Sequence, residues 1–142
     1  MNSNLITFLD RIRQLTPNTK AKYGQMNVHQ MVCHCTDFYR FVLGLLKLEE
    51  QPTISAMEAL LRAQSRETVP APRSIDQVKG NGTPPTTFEE DRKALANLLR
   101  DFYQLDEYYD FPEHFYFGKL NRSEWHKASD YHLSHHLRQF GV

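Results

Sequence analysis

Residues 121–141 read NRSEWHKASDYHLSHHLRQFG. Asn121 followed three residues later by Glu124 is a capping box, in which two side chains satisfy free backbone N–H groups at a helix start. Gly141 is the residue type that closes a helix at its other end. On a wheel of about 100° per residue, Trp125, Leu133, Leu137 and Phe140 share one apolar arc. His132 and His136 fall inside that arc, about 40° apart and one turn apart in height. His135 lies at its edge, and His126 points toward Leu133 and Leu137 from the first turns. A long helix that carries histidines on its buried face demands other helices to bury them against.

The same periodicity recurs upstream. Leu5, Phe8, Leu9, Ile12 and Leu15 predict a helix over residues 4–15. Asn27 and Gln30 form a second capping box, and Val28, Met31, Val32, Cys35, Tyr39, Val42 and Leu46 predict a helix from residue 28 to about 47. Pro52 and Thr53 open a shorter segment that ends near residue 67, with Met57, Leu60 and Leu61 as its apolar residues. Thr86 with Glu89, or Thr87 with Glu90, caps a further helix over roughly 87–105 that carries Leu95, Leu98, Leu99, Phe102 and Leu105. Between them, Pro70, Pro72, Pro84, Pro85, Gly80 and Gly82 make residues 68–86 a long irregular loop, and residues 108–117 form an aromatic loop. There is no repeat and no hairpin signal. The expected fold is an all-α bundle of four main helices plus a shorter one, a single domain over residues 1–142.

Composition narrows the function. Seventeen Lys and Arg balance seventeen Asp and Glu, which removes the electrostatic footprint of a nucleic-acid binder and any bulk attraction to anionic membranes. The longest apolar run, residues 41–46, is far short of the roughly 20 residues that span a bilayer. No export signal is read at the N-terminus, and Cys33 and Cys35, two apart on one helix, are poorly placed to bridge each other. Free thiols point to a reducing, cytoplasmic setting.

The seven histidines carry the chemistry. Two imidazoles at i and i+4 on a buried face can bind one metal ion, because their nitrogens converge over a single turn. On the second helix His34 sits beside Phe38, Phe41 and Leu45 and also faces inward. His34, His132 and His136 together make a three-nitrogen site for a divalent metal that leaves a position for water or substrate. Three imidazoles suit zinc, nickel, copper or iron. Metal affinity is expected to fall below about pH 6 as the rings protonate. The alternative is a set of core histidines satisfied by hydrogen bonds. Asp37 is a candidate to orient His34 or take a proton, or else a surface or salt-bridged acid near Arg40. On the wheel Cys35 points into the core and Cys33 to solvent. His29, His114 and His126 are read as surface or loop residues. A zinc-protease pattern needs Glu directly after the first histidine of the pair, and Leu133 stands there instead.

The segment Met26-Asn27-Val28-His29-Gln30-Met31-Val32-Cys33-His34, and the end from Trp125 through HHLRQFGV at 135–142, resemble the DinB-like (YfiT-like) metal-binding four-helix-bundle superfamily. More narrowly they resemble a bacterial branch of it without an assigned function. The resemblance covers nearly the whole chain; the terminal stretch is its most specific part and residues 51–85 its weakest. It implies an up-down-down-up bundle with a long crossover, and a metal, often nickel or zinc, held by His34, His132 and His136. Asp37 occupies the place of an acid often found three residues after the first ligand. Residues 114–120 resemble an aromatic-glycine stretch of the branch, with Glu113 as a departure from it. Tyr23-Gly24 stands where Trp-Gly is common. Some relatives are thiol-dependent transferases or isomerases that use low-molecular-weight thiols, and others are amide hydrolases.

Two functional readings follow. One is a metal-dependent enzyme on a small-molecule substrate, with thiol transfer ahead of hydrolysis, because no carboxylate other than Asp37 stands out as a general base. The other is a non-catalytic metal-binding bundle, stabilised by its ion or paired as a homodimer through its apolar helices.

Overall fold

The computed structural model describes residues 2–142. Five α-helices follow in order: α1 Ser3–Arg13, α2 Val28–Val42, α3 Ala56–Gln64, α4 Phe88–Tyr103 and α5 Arg122–Gln139. Among the described residues there is no strand, and a single isolated bridge joins His114 to Gly118. Among the described residues, no helix is long and apolar enough to cross a membrane.

Side-chain caps start α2, α4 and α5 where the sequence places them, whereas α3 runs only over Ala56–Gln64 behind a Ser55 cap, inside the expected segment from Pro52 to about residue 67. Both capping boxes form, Asn27 with Gln30 at α2 and Asn121 with Glu124 at α5. Of the two candidates for α4, Thr87 is the cap, and its side chain accepts from the Glu90 N–H. Thr86 is spent elsewhere: its N–H and hydroxyl both donate to Asp91. Gly141 ends α5 as expected, with φ +77°.

Helix α2 stops at Val42, five residues before the predicted end near 47. Gly44 takes φ +79°, its N–H reaches the Phe41 carbonyl, and the Leu45 N–H reaches the Arg40 carbonyl. This pair of bonds closes a helix around a left-handed residue, which glycine adopts without a Cβ clash. The apolar run at 41–46 disguised the stop.

Helices α1, α2, α4 and α5 form the bundle. α2 packs most extensively on α4 and also touches α5, while α1 lies against α4 and α5. Trp125, Tyr39, Phe102, Ile12, Leu15, Met31, Leu95, Leu99, Leu133 and Leu137 fill its interior. Tyr39 places its hydroxyl 2.8 Å from that of Ser129, so two buried polar groups satisfy each other across α2 and α5. The short helix α3 stands apart: only Ala59 is buried, and the apolar residues Met57, Leu60 and Leu61 face solvent.

Eleven of the fifteen residues of α2 are buried. α4, α5 and the loop after α3 cover it from different sides, so the wheel's assumption of one solvent face fails. Cys33, expected in solvent, is buried against α4, and Cys35 lies in the core as expected. Asp37 pairs with Arg40, but inside the protein and not on its surface.

Gly44→Ala should lower stability by about 1 kcal/mol, the cost of forcing a Cβ into the left-handed region. The nearest atom to such a Cβ is the Tyr109 hydroxyl at 3.8 Å, so no clash adds to it. Urea unfolding followed by circular dichroism measures the difference.

Candidate metal centre

His34 on α2 meets His132 and His136 on α5. The rings of His34 and His132 lie 5.0 Å apart, those of His34 and His136 4.6 Å, and those of His132 and His136 4.6 Å, centroid to centroid. One nitrogen from each lies within 4.8 Å of the other two. His34 is buried, whereas His132 and His136 are half-buried.

Hydrogen bonds decide which nitrogens are free. His34 Nδ1 lies 2.7 Å from the Ile75 carbonyl oxygen. A carbonyl only accepts, so Nδ1 carries the proton and Nε2 is bare. His136 Nδ1 lies 2.9 Å from Gln139 Oε1, which assigns that ring the same tautomer. His34 Nε2 is 3.1 Å from His132 Nε2, so without a cation His132 donates to His34 there. The remaining nitrogen of His132, Nδ1, is buried without a partner. His34 alone therefore fixes the tautomer of that ring, and a cation can take Nε2 once its proton has moved to Nδ1 or to solvent. Stacking on Phe38, at 4.3 Å and 19° between planes, sets the ring's orientation. Two locked lone pairs and one exchangeable nitrogen at a common point suit a divalent ion such as zinc.

Electrostatics keeps the rings neutral. Burial pushes His34 below the ordinary imidazole range, partly offset by its bond to Ile75. Burial pushes His132 and His136 well below it, and the charge that each neighbouring histidine would carry adds to the effect. The acid limit for metal binding therefore lies lower than the pH of about 6 inferred from unperturbed imidazoles.

Asp37 does not touch His34. One carboxylate oxygen accepts from Arg40 and from the Thr83 hydroxyl, both at 2.7 Å, and the other from the Thr83 N–H at 2.8 Å. It ties the 68–86 loop to α2, and the same loop delivers the Ile75 carbonyl that orients His34. The other histidines stand outside the cluster. His135 stacks on Tyr131, and His126 packs against Phe102 and Tyr103. His114 accepts the N–H groups of Tyr116 and Phe117 on Nδ1, and burial lowers its pKa to about 4. His29 lies 2.7 Å from Asp91. Burial, then Asp91, pushes the Cys33 thiol up to about 12, so it stays protonated in the metal-free protein.

Two orienting groups escaped the sequence reading. Gln139 was within reach of it, since residues three apart on a helix are neighbours. Ile75 was not, because its backbone carbonyl meets His34 through an irregular loop.

A helical bundle with a convergent cluster of three histidines is thus the class of protein that the fold and site define. The chain belongs to the family described as Protein of unknown function (DUF1569), which matches residues 2–141. No curated protein and no solved structure matches it.

The depressed histidines make the metal-free protein acid-sensitive. In the unfolded chain these rings take up protons below about pH 6.5, whereas in the folded chain they resist protonation until a lower pH. Their contribution to stability is complete above about pH 6.5 and is lost progressively as the pH falls below it. Thermal melts of chelator-treated protein between about pH 7 and pH 5 should show a falling Tm, and zinc should counteract the fall. A Tm independent of pH across that range contradicts the burial of three neutral imidazoles.

Proposed function

We propose that His34, His132 and His136 hold one divalent metal ion, zinc or nickel, in a DinB-like up-down-down-up bundle, and that this centre serves an enzyme acting on a small molecule. The observation that carries the proposal is the pair of tautomer locks. The Ile75 carbonyl and Gln139 Oε1 leave Nε2 bare on His34 and His136, and one nitrogen from each of the three rings lies within 4.8 Å of the other two. When bound, such an ion supplies Lewis acidity, lowering the pKa of a water or thiol at its open position.

Thiol-dependent transfer fits the surroundings better than hydrolysis. Three neutral donors leave the site with the ion's full positive charge, which attracts an anionic thiolate from a low-molecular-weight thiol. Asp37, the one candidate base, is occupied by Arg40 and Thr83. The partial exposure of His132 and His136 offers a route inward, and the buried, free thiols of Cys33 and Cys35 suit a cytoplasmic setting. The second reading, a non-catalytic metal-binding bundle, is favoured by the depth of the cluster, where His34 and the Nδ1 of His132 are buried.

Metal analysis and assays separate these outcomes. His34→Ala, His132→Ala and His136→Ala should each hold one ion fewer than the parent protein, and His135→Ala should hold the same number. Gln139→Ala should weaken binding by about 10- to 100-fold, the usual effect of removing a group that orients a ligand. The metal-loaded protein should transfer a low-molecular-weight thiol to an electrophilic substrate, with activity lost in His132→Ala. Metal-replete protein inactive across thiol-transfer and hydrolysis panels would establish the structural reading. Metal retained in His132→Ala but lost in His135→Ala would overturn the site itself.

A further inference from the structure

A second cluster lies on a different face of α2. His29 and Cys33 are four residues apart and face α4, where Asp91 meets both. His29 Nε2 lies 2.7 Å from Asp91 Oδ2, and the Cys33 thiol lies 3.6 Å from the same oxygen. One donor atom from each lies within 4.8 Å of the other two. We propose that His29, Cys33 and Asp91 form a second metal site, selective for a thiophilic divalent ion such as zinc and independent of the three-histidine centre.

The geometry needs little change. A tetrahedral zinc ion with bonds of about 2.0–2.3 Å places its donors about 3.3–3.8 Å apart. The Cys33–Asp91 separation already falls in that range. The His29–Asp91 pair must open by less than about 1 Å to reach it, and both side chains are partly solvent-exposed, at 24% and 15%. The exposed side leaves the fourth position to water. The carboxylate is also oriented in advance: burial opposes its ionisation, but the N–H and hydroxyl of Thr86 outweigh this and keep Asp91 below the usual carboxylate range. Groups that hold a ligand in this way are the usual second layer of a metal site.

Charge and softness separate the two sites. A thiolate, a carboxylate and a neutral imidazole neutralise a divalent ion, so the loaded cluster carries no net charge where it is half-buried. The three-histidine cluster leaves its ion with a double positive charge. The sulfur donor favours zinc over magnesium, calcium or manganese. Loading replaces the thiol proton, which passes to solvent, and the imidazole proton that now points at Asp91 shifts to the other ring nitrogen or to solvent. The ion then joins α2 to the first turn of α4.

Cobalt reports on this site alone, because only a thiolate ligand gives a sulfur-to-cobalt charge-transfer band in the near ultraviolet and the three-histidine cluster has no sulfur. Reduced, chelator-stripped full-length protein should bind two cobalt ions, with the band rising with one of them. Cys33→Ser should lose the band and one ion, and His29→Ala should weaken that binding at least tenfold. His132→Ala should keep the band, so failure of the first centre leaves this one measurable. Cys35→Ala should also keep it, since Cys35 contacts only Met31 sulfur among polar and sulfur partners. The proposal is overturned if folded parent protein shows no thiolate band at saturating cobalt. It is equally overturned if the band survives in Cys33→Ser or vanishes in Cys35→Ala.

Discussion

Helix α2 is buried along most of its length, and a buried helix must find a partner for every polar side chain it carries. His34, Thr36, Asp37 and Tyr39 all lie inside the protein. Thr36 turns back on the Val32 carbonyl, Tyr39 meets Ser129, and Asp37 holds Thr83 and Arg40. His34 takes the Ile75 carbonyl with one nitrogen and faces His132 with the other. These demands explain why the 68–86 segment, rich in proline and glycine, lies against the bundle: it supplies the backbone groups that α2 cannot find on its neighbouring helices. The loop's anchoring by Asp37 and its delivery of the Ile75 carbonyl are two parts of one arrangement, and the tautomer of His34 depends on both.

The two clusters on α2 differ in what burial does to them. Around His34, His132 and His136 there is no carboxylate contact among the described residues, and burial drives the rings toward neutrality. Around His29 and Cys33 the Asp91 carboxylate dominates, its oxygens already filled by Thr86 and by the two would-be ligands. One environment is a set of imidazoles that no carboxylate touches, with Asp37 and Asp76 acting on His34 only from a distance; the other is an acid-centred network. A helix that carries both presents opposite electrostatic characters on adjacent faces.

Much of this was legible in the amino-acid sequence, and the misses have physical causes. The caps at Asn27 and Asn121, the stop at Gly141 and the face shared by His132 and His136 all follow from local periodicity, because α5 buries only one side. On α2 the same method placed Cys33 in solvent, since a wheel has no means of knowing that a helix is covered on several sides. Gly44 was visible but sat inside an apolar run that resembled continuing helix. Met57, Leu60 and Leu61 are the apolar residues of α3, yet α3 lies outside the bundle and exposes them. The partners that matter most to the chemistry, the Ile75 carbonyl to His34 and Asp91 to Cys33, join residues 41 and 58 positions apart, and no local pattern announces them.

The central claim is that three imidazole nitrogens, two of them held bare by the Ile75 carbonyl and Gln139, define one metal position. Anomalous diffraction from crystals of the zinc-loaded protein, recorded on both sides of the zinc absorption edge, locates the ion directly. The account predicts a peak within about 2.0–2.1 Å of Nε2 of His34, His132 and His136, with both Nδ1 hydrogen bonds intact. No peak among these three rings at full zinc occupancy, or a peak coordinated through the Nδ1 of His34 or His136, would contradict it.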